Sequence, residues 1–229
     1  MSSNGRLVIL VDNEALPGFM NEWGLSIYVE LPNVRILFDA DTDPNVLKYN
    51  AEKLNIDLQS IDFAILSHNH RDHYGGYEYV GRIFPGLKVY VPPDARSTVE
   101  RYGLSPYIVE RSQRITNNVF IVGPFETAYG FYEIALGIIV KDKGVVILVG
   151  CSHPGIDRIA TTVKKFTKER IYYVLGGFHS PSYRSLDILA GIAQYISPIH
   201  CSGDEAKKYV KNKYSNKYRD VRAGSIIPL

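Results

Sequence analysis

Short apolar runs broken by polar turns set the rhythm of this chain. Arg6–Val11, Leu25–Leu31 and Val34–Phe38 each predict a strand, and the last two meet at a tight Pro32-Asn33 turn. Between the first two lies Asp12–Trp23, a polar, Gly- and Pro-containing loop of a length that often carries function. Asp43-Pro44 opens a helix that runs to about Leu54, with Asp as its cap and Pro in the first helical position. Asp62–Leu66 reads as a buried strand ending at Ser67.

Further on, Leu87–Val91 predicts a strand and Asp94–Tyr102 a short helix. Strands follow at Val119–Val122, Tyr132–Val140 and Val145–Val149, the last pair turning at Asp142-Lys143-Gly144. Next come a helix over about Ile156–Lys168, a strand over Ile171–Leu175 and a helix over Ser185–Tyr195. A short strand then ends at His200, and a Lys-rich helix covers about Asp204–Lys213. Strand clusters in each half, each followed by helices, predict two sheets with helices outside them rather than one doubly wound sheet. This is an α/β layered fold. No repeat, low-complexity tract or Pro/Gly/Ser-rich linker divides the chain, so residues 1–229 read as one domain.

Composition narrows the functions. With 26 Lys+Arg against 24 Asp+Glu the net charge is only +2, which argues against a cationic nucleic-acid wrapper and against an acidic disordered tail. Two cysteines in 229 residues make no disulfide framework and suggest a reducing compartment. The first apolar run, Leu7–Val11, is too short for a signal-peptide core, and no stretch approaches the ~18 apolar residues of a membrane span. The expectation is a cytoplasmic protein with no membrane partner.

Histidine placement is the most informative feature. Three of the six lie in His68-Asn69-His70-Arg71-Asp72-His73, directly after a predicted strand. The others, His153, His179 and His200, each follow an apolar strand, and none is predicted on a helix face or in mid-strand. Strand ends are where layered α/β folds gather their active-site groups. Alternate residues in an extended turn can point to one side, so His68 and His70 can hold one metal ion. Asp72 and His73, past the turn, face a second position nearby. Two ions about 3.5–4 Å apart would suit hydrolytic chemistry.

The motif His68-x-His70-x-Asp72-His73, with Ile36-Leu37-Phe38-Asp39 upstream, resembles the metallo-β-lactamase superfamily of metal-dependent hydrolases. Further stretches are similar to a branch that includes archaeal dihydropterin-methyl-ribofuranosylaminobenzene-phosphate synthases. These are Glu22-Trp23-Gly24-Leu25-Ser26, Val149-Gly150-Cys151-Ser152-His153-Pro154-Gly155, Gly176-Gly177-Phe178-His179 and His200-Cys201-Ser202-Gly203. That branch often has His where this chain has Trp23.

The resemblance implies a four-layer αββα sandwich with metals at the edge where loops of both sheets meet. On this reading His68, His70 and His153 hold a first ion, and Asp72, His73 and His200 hold a second. Both are divalent transition metals, with zinc the first choice and iron or manganese the alternatives. Asp72 also orients the attacking hydroxide. His179 stands beside the metals as a proton donor to the leaving group or a phosphate contact, with ligation as the alternative. Cys151 and Cys201 read as small buried side chains near the site, with thiolate ligation the alternative and Cys151 or His179 the candidates for a bridging position, and Asp39 as a hydrogen-bonding support for the histidine loop. The basic run from Lys207 to Arg222 reads as a solvated face.

The implied reaction is hydrolysis of a small anionic or phosphorylated molecule. The alternative is a transferase joining a pterin diphosphate to an arylamine. A nuclease is disfavoured because the chain has no room for an added nucleic-acid domain.

Overall fold

The computed structural model describes residues 5–127 and 130–229, and its first strand, β1 (Arg6–Val11), is apolar on both faces. Leu7 and Ile9 join one buried cluster, while Val8, Leu10 and Val11 join another. A strand of that kind is stable only between two covering layers. It pairs antiparallel with β2 (Ser26–Leu31), which pairs antiparallel with β3 (Val34–Phe38). Helix α1 (Pro44–Lys53) follows, and the Asp43 side chain accepts from the Asn45 N–H at 2.8 Å, as the cap read from the sequence requires. Next come β4 (Phe63–Ile65), the short helices α2 (Arg71–Tyr74) and α3 (Tyr77–Ile83), β5 (Lys88–Val91), α4 (Arg96–Glu100) and β6 (Ser105–Ile108). Strands β3 to β6 are parallel neighbours.

The second sheet comprises β7 (Gln113–Arg114), β8 (Val119–Glu126), β9 (Tyr132–Val140) and β10 (Gly144–Val149), joined antiparallel in series. After α5 (Ile156–Thr167) come β11 (Ile171–Gly177), α6 (Tyr183–Ile192), β12 (Ala193–Ile199) and α7 (Gly203–Lys213), with β11 and β12 extending the sheet in parallel. The last strand, β13 (Ile226–Pro228), returns to pair with β1. The sheets thus run β13-β1-β2-β3-β4-β5-β6 and β12-β11-β10-β9-β8-β7.

Three apolar layers hold this arrangement together. Leu7, Ile9, Ile36 and Phe38 meet Ile121, Leu136, Val146 and Leu148 between the sheets. Val46 and Leu47 of α1, Val80 of α3 and Val99 of α4 cover the outer face of the first sheet. Ile159 and Val163 of α5, Leu186 and Leu189 of α6 and Val210 of α7 cover the second. The result is the αββα sandwich. No helix among the described residues is long and apolar enough to cross a membrane.

Several elements differ from the sequence reading. The helix read as Ser185–Tyr195 ends at Ile192, and Ala193 begins a strand. The helical spacing Leu186, Leu189, Ala190 carries on to Ala193, but Tyr195 and Ile196 find strand partners in Tyr173 and Val174. The helix read over Asp94–Tyr102 is a 3-10 turn followed by the five-residue α4. Strands β6 and β13 lie at sheet edges and contain Pro106 and Pro228, which mask them in a pattern search. His73, read as lying off any helix, falls within α2.

Candidate metal centre

The chemistry-bearing residues follow the ends of parallel strands. Asp39 follows β3 and Ser67-His68 follow β4; Cys151 and His153 come after β10, with His179 after β11 and His200 after β12. One backbone link brings the two sheets together here. His68 bridges to Glu133 of β9, and the Ile134 N–H donates to the Ser67 carbonyl at 2.9 Å. The histidine loop of the first sheet is therefore stitched to the second.

Two sets of candidate ligands converge at this edge. One ligand atom each from His68, His70 and His153 lie within 4.8 Å of one another, and so do those of Asp72, His73 and His200. His68 and His73 form the wall between the sets, their ring centroids 4.1 Å apart. His179 joins neither set. Its ring lies 4.5 Å from that of His153, and its nitrogen groups with the sulfurs of Cys151 and Cys201. Cys151 reads from sequence as a space-filling neighbour, or as a candidate for the bridging position. In the structure its Sγ stands 3.3 Å from His73 Nε2 and groups with His68 and His73.

Oxygen acceptors orient the rings. Asp39 Oδ2 lies 2.7 Å from His73 Nδ1 and accepts from the Ser67 hydroxyl at 2.7 Å, while Oδ1 accepts from the Ser67 N–H. The same hydroxyl oxygen is 2.9 Å from His68 Nδ1. Glu133 Oε2 is 3.0 Å from His153 Nδ1, and Asn13 Oδ1 is 3.0 Å from His200 Nδ1. Four histidines thus have Nδ1 engaged by oxygen, which leaves Nε2 free to act as a lone-pair donor. Asp39 takes the supporting part read for it from sequence. Glu133 and Asn13 were not identified from sequence. The only signal for Glu133 was a single charged residue inside the apolar run Tyr132–Val140.

The electrostatics favour the neutral form of His68, His70 and His179. Burial, followed by the charges of His73, His153, His70 and His200, holds His68 well below the usual histidine range. Burial and His153 lower His70 and His179 in the same way. Burial alone would raise Asp72, but pairing with His200 and the charge of His73 outweigh it, so the carboxylate stays ionised. Burial pushes Asp39 up, opposed by His73 and Ser67.

The donor set fits divalent transition metals: several imidazole nitrogens and one ionised carboxylate. One atom tests the fit directly. His200 Nε2 is buried and has no hydrogen-bond partner among the described residues, although Asp72 Oδ2 is 3.3 Å away. A buried polar atom left in this way is costly unless something else engages it. Likewise His68 Nε2 and His70 Nδ1 face each other at 3.1 Å, where a shared cation would relieve the contact.

Two aromatic side chains flank the centre. Phe131 stacks on His70, with centroids 4.7 Å apart, and meets the rings of His68 and His153 edge-on. Trp23, 59% exposed, donates from Nε1 to Asp72 Oδ2 at 3.1 Å and lies 5.4 Å from the His200 ring. Each set of ligands therefore has an aromatic neighbour.

Fold and ligand pattern together define the class: the chain belongs to the metallo-beta-lactamase superfamily, whose domain matches residues 24–156. It is 27% identical to the 7,8-dihydropterin-6-methyl-4-(beta-D-ribofuranosyl)-aminobenzene-5'-phosphate synthase of Methanocaldococcus jannaschii, over 91% of this chain and 90% of that enzyme. It is 33% identical to an uncharacterized protein of the same organism, over 86% of this chain and 91% of that one. The crystal structure of a metal-dependent hydrolase of the beta-lactamase superfamily superposes with a TM-score of 0.85 at 27% identity. The match covers 98% of this chain and 99% of that one.

Proposed function

We propose that this protein is a metal-dependent hydrolase that binds two divalent transition-metal ions, zinc first among them, and acts on a small anionic, phosphorylated substrate. The observation that carries this reading is the pair of three-residue sets sharing one wall, His68/His70/His153 and Asp72/His73/His200. Two such ions, when bound, supply a nucleophile at neutral pH and neutralise charge on the group under attack. The protein's own part is orientation. Asp39, Glu133 and Asn13 fix the imidazole rings, so the ligands are arranged before substrate arrives. Asp72, ionised and beside His73 and His200, accepts a hydrogen bond from the attacking water and orients it. His179, kept neutral by burial and by His153, offers an N–H to a substrate oxygen rather than a positive charge.

A second reading keeps the site and changes the reaction. Similarity to the dihydropterin synthase over nine-tenths of both chains supports a transferase that joins a pterin diphosphate to an arylamine. In that case the same residues would bind the departing pyrophosphate, with Trp23 and Phe131 beside a flat ring.

The test is to titrate pyrophosphate and a pterin phosphate into metal-loaded and chelated protein, and to assay phosphoesters, lactones, β-lactams and a pterin–arylamine pair. Metal-dependent binding with turnover of a phosphorylated compound is expected, sharply reduced in Asp72→Asn while binding largely survives. Equal affinity with and without metal, or tight binding of RNA instead, would overturn the reading.

A further inference from the structure

The chain has two cysteines, and the fold brings them together from strands that are not neighbours. Cys151 follows β10 and Cys201 follows β12, with β11 between them. Their sulfurs nevertheless lie 3.1 Å apart. What lets them meet is the glycine pair that ends β11. A Cβ on Gly177 would fall 2.6 Å from Cys201 Sγ and also collide with the Gly150 carbonyl oxygen. The sulfur of Cys201 thus occupies the place a side chain at Gly177 would take.

Two uses of the pair would need different spacings. Two thiolates on one tetrahedral zinc, each about 2.3 Å from it, would stand about 3.8 Å apart. The 3.1 Å between the sulfurs lies between that spacing and a disulfide bond length of about 2.05 Å, so a movement of about 1 Å would bond them directly. Cys151 Sγ also lies 3.3 Å from His73 Nε2, at the wall shared by the two candidate metal sites. The same sulfur is thus within reach of either the centre or Cys201.

We propose that Cys151 and Cys201 are a site of reversible oxidation, forming an intramolecular disulfide that draws the Cys151 sulfur away from the metal centre and weakens metal binding. The effect on metal rests on the two-ion reading above; the disulfide itself does not. The co-reactant is a hydroperoxide. Cys201, the more exposed of the two thiols, attacks the peroxide O–O bond, giving Cys201–SOH and releasing water or an alcohol. The Cys151 sulfur then attacks the Cys201 sulfur, forming the S–S bond and expelling the hydroxyl as a second water, which takes up the Cys151 proton. Two thiols lose two electrons and two protons, and one peroxide is reduced. A thiol reductant reverses the change.

Metal-loaded protein would be treated with equimolar hydrogen peroxide, then assayed for intact mass, free thiols after denaturation, and zinc affinity by competition with a chromophoric chelator. The proposal expects both thiols to disappear, the monomer to lose the mass of two hydrogens, and zinc affinity to fall by at least about tenfold. Dithiothreitol should reverse all three changes. Cys151→Ser, which removes the resolving thiol, should never show the mass loss and should instead gain oxygen on Cys201, whereas Cys201→Ser should show neither change. Retention of both thiols, oxygen adducts on the wild-type protein, or disulfide-linked dimers would overturn the proposal. A disulfide with unchanged zinc affinity would overturn its link to the metal. If the reduced protein bound no metal at all, the two-ion reading would fall, while the mass measurement would still decide the disulfide.

Discussion

Glu133 Oε2 lies 3.0 Å from Nδ1 of His153, and the same carboxylate accepts the backbone N–H groups of Cys151, Ser152 and His153 at 2.7–3.0 Å. One fully buried side chain thus fixes both the ring and the peptide turn that carries it. Removing it would leave three N–H donors unsatisfied. Glu133→Ala should therefore destabilise the protein by about 3 kcal/mol or more, measured by chemical denaturation. It should also weaken metal binding by about 10–100-fold, measured by competition with a chelator. Unchanged metal affinity would mean that the carboxylate supports the turn alone.

Glu133 also marks where sequence reasoning stopped. The His68–His73 motif was legible because its ligands are close in sequence and follow a strand, so local geometry constrains them. Two sheets with helices outside them were legible because each half of the chain holds a cluster of apolar strands followed by helices, and the four-layer order came from the family resemblance. Glu133 and Asn13 act through contacts spanning 20 and 187 residues of chain, which no local pattern encodes. The contact between the cysteines depends on Gly177 and on two crossover connections. Edge strands β6 and β13 were missed because half-exposed, proline-containing edges lack the alternation of a buried strand.

The two ligand sets should fill separately. Titrating zinc or cobalt into chelated wild-type protein should saturate near two ions per chain by elemental analysis. His70→Ala and His200→Ala should each retain about one, because each removes a ligand from a different set. If either variant lost both ions, the sets would be filling as one cooperative cluster.

Asp41 gives a prediction about pH. Its carboxylate is buried, and burial pushes its pKa from 3.8 to about 7, opposed by the backbone N–H groups of Thr42 and Asp43. Between those values the folded protein keeps a proton that the unfolded chain has released. The native state binds more protons, so this group makes stability fall as pH rises from about 4 to about 7. The full cost above that window is of order 4 kcal/mol, taking about 1.4 kcal/mol per pH unit. Asp41→Asn should therefore raise stability by a few kcal/mol at pH 8 and change it little at pH 4, read from denaturant midpoints at both values. An equal effect at both would show that Asp41 does not titrate in this range.

Trp23 is the only tryptophan in the chain, so its fluorescence reports on one place. Its indole N–H donates to Asp72 Oδ2, and its ring lies beside His200, two members of the same candidate ligand set. An ion bound by Asp72, His73 and His200 would sit next to the indole, whereas one bound by His68, His70 and His153 would lie beyond the shared wall. Cobalt, whose open d shell quenches nearby fluorophores, should therefore reduce Trp23 emission in wild type and in His70→Ala. It should do so much less in His200→Ala, which keeps only the distant set. Trp23→Phe removes the hydrogen bond but keeps a ring, so metal content should stay within about threefold of wild type, as a single neutral hydrogen bond is worth about 1 kcal/mol or less. A phosphorylated substrate with a flat ring should show a raised KM in that variant with kcat less affected, because aromatic contact contributes to binding in ground state and transition state alike. Equal quenching in His70→Ala and His200→Ala would mean that the indole does not distinguish the two sets, and that the carboxylate it holds belongs to neither ion in particular.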